Sequence, residues 1–350
     1  MNRSLPRVSR RSFLAVTAGT LAAPMVVRPA RAATNSVKFV SYGGSYQDAL
    51  ARYVMKPFAE ETGIKVGFVP APELAKIKAQ LLTGNVDWDI FTGPRSRIIF
   101  GSKQGFWQKL DLSLFDVDDL AIAPQSDNIA SVTYSTGITW DPEKYGPGQH
   151  PVNFVEYFDI KKFPGRRILR NSPDLVLELA LLSAGVLPEN MYPLDLNRAF
   201  EALDKMKSSA VRVDATPQAV SLVQNGEVDF SYTYSNRVKA TTESGGGKPL
   251  AYSFEQNLIS SEGVAVLKDA PNKESAMKLI AYYLRPDVQA KIVNETAVGP
   301  VSKNAQKMLS AEAQKWQSSL SNTNNLLIND TYWADNFEGV SRRFKEWMLG

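Results

Sequence analysis

The chain contains no cysteine and one histidine, His150. Without thiols there is no disulfide framework and no thiolate nucleophile. One imidazole and no thiolate leave the common zinc ligand sets unfilled. His150 follows the turn-rich Gly146-Pro147-Gly148 and precedes Pro151, which places it in a solvated loop. No phosphate loop is present: Gly245-Gly246-Gly247-Lys248 runs into Pro249 where Ser or Thr is required, and the leading glycine is missing. Gly43-Gly44-Ser45-Tyr46-Gln47 has the outline of a nucleophile elbow but ends in Gln rather than Gly. The residues therefore assign no catalytic group, no metal ligands and no cofactor. Carboxylates that converge from distant positions, as in glycoside hydrolysis, stay open as an alternative because spacing cannot reveal them.

Long apolar runs are also scarce. The one run of note, Phe13 to Val27, is interrupted by Thr17, Gly19 and Pro24. It falls short of the ~20 residues that a spanning helix needs. It follows Arg10-Arg11 and precedes Ala30-Arg31-Ala32, so basic region, apolar core and A-x-A site stand in the order of an export leader. The twin arginine points to the route that carries folded proteins. Cleavage is expected after Ala32, which makes 1–32 a removable signal and the periplasm the destination.

The leader changes the charge balance. Six of the 40 basic side chains (Arg3, Arg7, Arg10, Arg11, Arg28 and Arg31) lie in it, with no acidic residue. The remainder carries 34 basic against 36 acidic groups, so the formal +4 becomes −2. That removes the case for a nucleic-acid partner. The 318 residues after position 32 exceed what one core usually holds, so two lobes are expected.

Strand-like and helix-like segments alternate along the chain. Val37–Val40 reads as a strand leading into a turn at Tyr42–Ser45, and apolar spacing makes a helix of 46–61 that Pro57 should kink. Strands at 64–69 and 89–91 enclose a helix at 73–82. This β-α-β-α-β order implies a mostly parallel sheet with helices on its faces. Ligands in such sheets bind beyond the carboxyl ends of the strands. Further on, helices at 173–184, 197–207 and 217–224 alternate with strands at 210–213 and 228–234, and a helix at 273–284 follows a strand at 264–266. No fixed-period repeat occurs.

Several segments stand in a telling order: Phe58-Ala59-Glu60-Glu61-Thr62-Gly63-Ile64-Lys65-Val66, Trp88-Asp89-Ile90-Phe91, Tyr134-Ser135-Thr136-Gly137-Ile138, Asn225-Gly226-Glu227-Val228-Asp229-Phe230, and Asn272 to Ile280 followed by Leu284-Arg285-Pro286-Asp287-Val288. In these the chain resembles the periplasmic solute-binding proteins of bacterial ABC importers, in particular the spermidine/putrescine-binding branch. The resemblance implies an α/β fold of type II with two lobes, each a mostly parallel sheet flanked by helices, joined by a hinge. Lobe 1 would comprise 33–138 and 263–350, lobe 2 would comprise 139–262, and the chain would cross near 137–140 and 257–263. The implied partners are a small solute and a membrane ABC permease, and the implied state is a monomer that performs no chemistry on its cargo.

An amine clamp needs aromatic faces and a carboxylate. By the resemblance, Tyr42, Gly44, Ser45 and Tyr46 supply the first contact loop, and Gly93 with Arg95 the next. Asn171 and Ser172 stand where polyamine binders place an acid, an anchor that is lost or moved to Asp174. Tyr234 aligns with a pocket aromatic, with Tyr232 beside it on the strand, and Glu262 aligns with the second acidic anchor. Trp333 and Asp335 lie near a further contact, whereas Trp88 and Trp140 serve packing. One acid, a few aromatics and a new arginine suit a ligand with an amine at one end, so the expected class widens from polyamines to ω-amino acids. Arg95, Tyr232 and Tyr234 would alternatively suit an anion or a metal chelate.

Overall fold

The computed structural model describes residues 35–41, 43–70 and 73–349, with the side chains of Gly44 and Ser45 left out. The expected leader and Tyr42 lie outside these residues. One sheet contains β1 (Ser36–Ser41), β2 (Lys65–Pro70), β3 (Ile90–Pro94), β4 (Ile129–Trp140), β5 (Arg167–Arg170), β6 (Ala210–Val213), β7 (Phe230–Tyr234), β8 (Ala251–Tyr252), β9 (Leu258–Val266), β10 (Gly299–Pro300) and β11 (Leu326–Leu327). Its main path is β2-β1-β3-β9-β4-β7-β5-β6. The strands at each end of this path form a parallel trio, and the two trios are joined by the antiparallel pair β4–β9.

Each trio reverses direction once. The chain passes from β1 to β2 on one side and then to β3 on the other; it repeats the move from β5 to β6 and back to β7. Such a reversal opens a crevice at the carboxyl ends of the two flanking strands, because successive helices leave on opposite faces there. The first crevice lies beyond Ser41 and Pro94, the second beyond Arg170 and Tyr234.

Two hydrophobic cores accompany the trios. Phe39, Phe58, Phe91, Val264 and Ile280 belong to the first; Phe154, Leu179, Phe230 and Tyr232 belong to the second. The long central strands serve both: Ile129 and Val132 of β4 join the first core and Ile138 and Trp140 the second. Leu326, Ile328, Trp333, Val340 and Phe344 pack in the second core, so the segment expected wholly with lobe 1 divides its packing. The terminal helix Asp330–Leu349 also touches the helix Arg95–Lys103, where Lys103 pairs with Asp335.

Helix 46–61 is found as one helical run from Gly44 to Thr62 with a π turn at Ala51–Met55. Pro57 has no N–H to give the carbonyl four residues earlier, and the wider turn just before it absorbs the missing bond. Asp89 ties the first trio together. Its carboxylate accepts from the Lys38 amide at 2.8 Å and the Asn272 amide at 2.9 Å, the latter opening the helix Lys273–Tyr283. His150 departs from expectation: its ring stacks 3.6 Å from that of the buried Trp140 and is half-buried, because its loop folds back onto that indole. Among the described residues no helix is long and apolar enough to cross a membrane.

Candidate functional site

Strand geometry alone sorts the side chains. Residues opposite one another across a ladder share a face, as do residues two apart. Glu262 opposes Val132 and Pro94, while Thr136 opposes Tyr234. Thr92, Glu262, Tyr134, Thr136 and Tyr234 thus share one face, and Gly93, Ser261 and Gly263 lie on the other.

Glu262 is at the centre of the first face, 4 % exposed. Thr92 donates its hydroxyl to Oε1 at 3.1 Å, and Tyr134 donates its hydroxyl to Oε2. Burial pushes the carboxyl up to about 7, with only the Thr92 bond acting against it. An acid that titrates near neutrality in a ring of hydroxyls costs little to hold neutral and gains strongly from an incoming cation. Two tyrosines complete the wall on the first-core side. The hydroxyls of Tyr46 and Tyr283 meet at 2.5 Å, and burial raises Tyr46 well above its ordinary value, with Tyr283 and Glu262 adding to the rise. The Tyr134 ring, packed against the first core, lies 5.7 Å from the Tyr234 ring, packed against the second.

The structure therefore brings Tyr46, Tyr234 and Glu262 to one face of the crossing strands. Thr92, Tyr134 and Tyr283 join them and were missed. Tyr134 stands inside a segment noted only for its family-like pattern, and its two-residue offset from Thr136 was the available signal. Tyr283 closes a helix far along the chain and gave no local sign.

Other expected residues are placed elsewhere. Arg95 lies on the opposite face of β9: its Cγ would sit 3.5 Å from a Cβ on Gly263, its Nη2 donates to the Ala123 carbonyl at 2.9 Å, and it faces Asp330. Asp330, pushed up to about 6 by burial, accepts from Ser261 at 2.7 Å on that same face. Gly93 opposes Gly263 in the ladder, and the absent Cβ of Gly263 leaves room beside the Arg95 stem. Tyr232 is fully buried; its hydroxyl accepts from the Arg170 amide at 2.9 Å and its ring meets Tyr157 edge-on. Trp333 is also core, donating from Nε1 to Glu178 at 2.6 Å. Asp335 is exposed and paired with Lys103. Alternation along the sheet turns Arg95 away, whereas Tyr232 shares the face of Tyr234 but is enclosed in the second core; local alignment reports neither direction nor burial. Ser172 lies in the loop after β5 and donates to Asp174, while Gly44 opens the first helix with its neighbour Ser45.

Among the described residues no group of three or more His, Asp or Glu is placed to hold a metal ion. No second carboxylate is among the groups that shift Glu262. A shallow depression bounded by Leu181, Met191 and Arg198 shares no residue with the cluster.

A model of the bacterial extracellular solute-binding protein family matches residues 54–319. The chain is 29% identical over 332 residues to a gamma-aminobutyric acid-binding protein of Pseudomonas aeruginosa, covering 91% of this chain and 92% of that one. It is 26% identical over 270 residues to a spermidine/putrescine-binding periplasmic protein of Escherichia coli, covering 74% and 76%. A crystal structure of an ABC transporter substrate-binding protein from Bradyrhizobium japonicum USDA 110 superimposes with a TM-score of 0.83 at 30% identity, over 89% of this chain and 99% of that one. With most of its length matched, and with the fold to go with it, the chain belongs to the bacterial extracellular solute-binding protein family.

Proposed function

We propose that this protein captures a small amine-bearing solute, a polyamine or an ω-amino acid, in the periplasm and delivers it to an ABC permease. The observation that carries the ligand class is Glu262. It is a buried carboxyl that titrates near neutrality, held by Thr92 of β3 and Tyr134 of the hinge-like strand β4. An ammonium placed there would pair the carboxylate and lie against tyrosine faces. The names of relatives, one for gamma-aminobutyric acid and one for spermidine/putrescine, agree with an amine and differ on what stands at the ligand's other end.

In this reading the two cores are the hearts of two lobes, with 33–138 and 139–262 as their main bodies. β4 and β9 serve as the hinge and the terminal segment reaches both. Closure of the lobes would bury the ligand between the two crevices. The twin-arginine leader, cleaved after Ala32, would take the folded, cysteine-free monomer across the membrane. The anion and chelate alternative loses support because Arg95 lies on the opposite face and Tyr232, though on the face of Tyr234, is fully buried with its hydroxyl taken by the Arg170 amide. Isothermal titration with putrescine, spermidine, 4-aminobutyrate and simple anions tests the proposal. Saturable binding of at least one amine is expected, and binding of none would refute it.

A further inference from the structure

We infer that Arg170 is the group that receives the carboxylate of the ligand, which makes an ω-amino acid, rather than a diamine, the solute this pocket is built for. The inference rests on the amine reading above and adds the second pole to it.

Arg170 is the last residue of β5, and Tyr234 is the last residue of the neighbouring parallel strand β7. They flank the crevice where the second trio reverses, the position at which open α/β sheets hold their ligands. The guanidinium lies beside the Tyr234 hydroxyl, with the buried Tyr232 and Asp174 as its other charged or polar neighbours. Its Nε is buried and has no hydrogen-bond partner. No ion pair among the described residues includes Arg170. Asp174, the nearest acid on the following loop, is instead engaged by the Ser172 hydroxyl.

The half-buried Arg170 guanidinium keeps a buried Nε with no hydrogen-bond partner, and its planar fork suits bidentate capture of a carboxylate. From Glu262 the groups lead through the Tyr134 and Tyr234 rings, 5.7 Å apart, to the Arg170 guanidinium beside the Tyr234 hydroxyl at the strand ends. Acid at one end, tyrosine faces between and a guanidinium at the other end mirror an ammonium, a short methylene chain and a carboxylate. A diamine would bring a second cation against Arg170.

Titration calorimetry at fixed salt tests this with 4-aminobutyrate, 5-aminopentanoate, putrescine and 4-aminobutyramide, the last keeping the amine and removing the charge of the acid. The wild-type protein should prefer an amino acid to the amide by about 10- to 100-fold, the range for a hydrogen-bonded charge pair. Arg170→Gln should erase that preference and should not weaken putrescine, whose second ammonium no longer meets a guanidinium. Equal binding of acid and amide by the wild type, or equal losses for acid and diamine in the variant, overturns the assignment. The wild-type comparison needs no variant to fold. Failure of every amine to bind would instead refute the amine reading, whereas binding of diamines alone would refute only the role of Arg170.

Discussion

The charge state of Glu262 should control ligand affinity. Its carboxyl is 4 % exposed, is held by the Thr92 and Tyr134 hydroxyls, and titrates at about 7 against an ordinary 4.5. Pairing an ammonium requires the ionised form, so binding must drive a proton off whenever the free carboxyl is protonated. One pH unit below the midpoint only about a tenth is ionised, so amine affinity at about pH 6 should be ~10-fold below its plateau above pH 8. Near pH 7 about half a proton should be released per ligand, read by calorimetry in buffers of different ionisation enthalpy. Glu262→Gln should flatten the profile and weaken amine binding ~30-fold or more at the plateau. The ligand-free protein should show the opposite sign. A carboxyl raised on folding contributes stability that is full below its unfolded value and is lost as pH rises through about 7. The shift corresponds to about 3 kcal/mol, so the Gln variant should be the more stable protein at alkaline pH and nearly equal at acid pH. Chemical denaturation at both pH values measures this. A wild-type affinity that is flat across neutrality, with no proton release, refutes the reasoning.

Other residues give independent tests. Glu178 accepts from Trp333 Nε1 at 2.6 Å and from the Tyr192 hydroxyl at 2.8 Å inside the second core, so Glu178→Ala should cost about 2–4 kcal/mol in urea unfolding, and Glu178→Gln far less. Asp89→Ala strands the amides of Lys38 and Asn272, and a loss of about 3 kcal/mol with a lower midpoint is expected. A Cβ on Gly137 would lie 2.2 Å from Asn257 Nδ2 and 2.6 Å from the Tyr252 ring, so Gly137→Ala should destabilise by about 1–3 kcal/mol and shift Tyr252. Tyr46→Phe leaves the Tyr283 hydroxyl without its 2.5 Å partner, and a loss of about 1–2 kcal/mol in thermal unfolding checks it.

Much of the architecture was legible in the sequence because parallel sheets are built from local units. Strand 210–213 coincides with β6, and the helices expected at 73–82, 197–207 and 273–284 differ from those found by a residue or so at their ends. The long strand β4 was not read as a strand, and β9 was read only over 264–266. Their middles hold Thr, Ser and Gly (Thr133, Ser135, Gly137, Ser260, Ser261, Gly263), which carry no strand-like apolar pattern and form strands because they pair with one another. The site was half visible for a related reason. Residue type flagged Glu262, Tyr46 and Tyr234, but a one-residue step puts Ser261 of β9, and Arg95 just past β3, on the far face from Glu262.

Composition and order along the chain by themselves determined the absence of thiol chemistry, the alternating α/β pattern and the kind of residues available to hold a ligand. Only the tertiary structure decided which of them meet. Glu262, Tyr134, Thr92, Tyr46 and Tyr283 come from five separate segments, and Arg170 acquires its place from a reversal in strand order. Local periodicity fixes which side of its own element a residue occupies. Pairing between distant strands fixes which sides face one another, and burial of those paired strands is what raises the Glu262 carboxyl to a working value near neutrality.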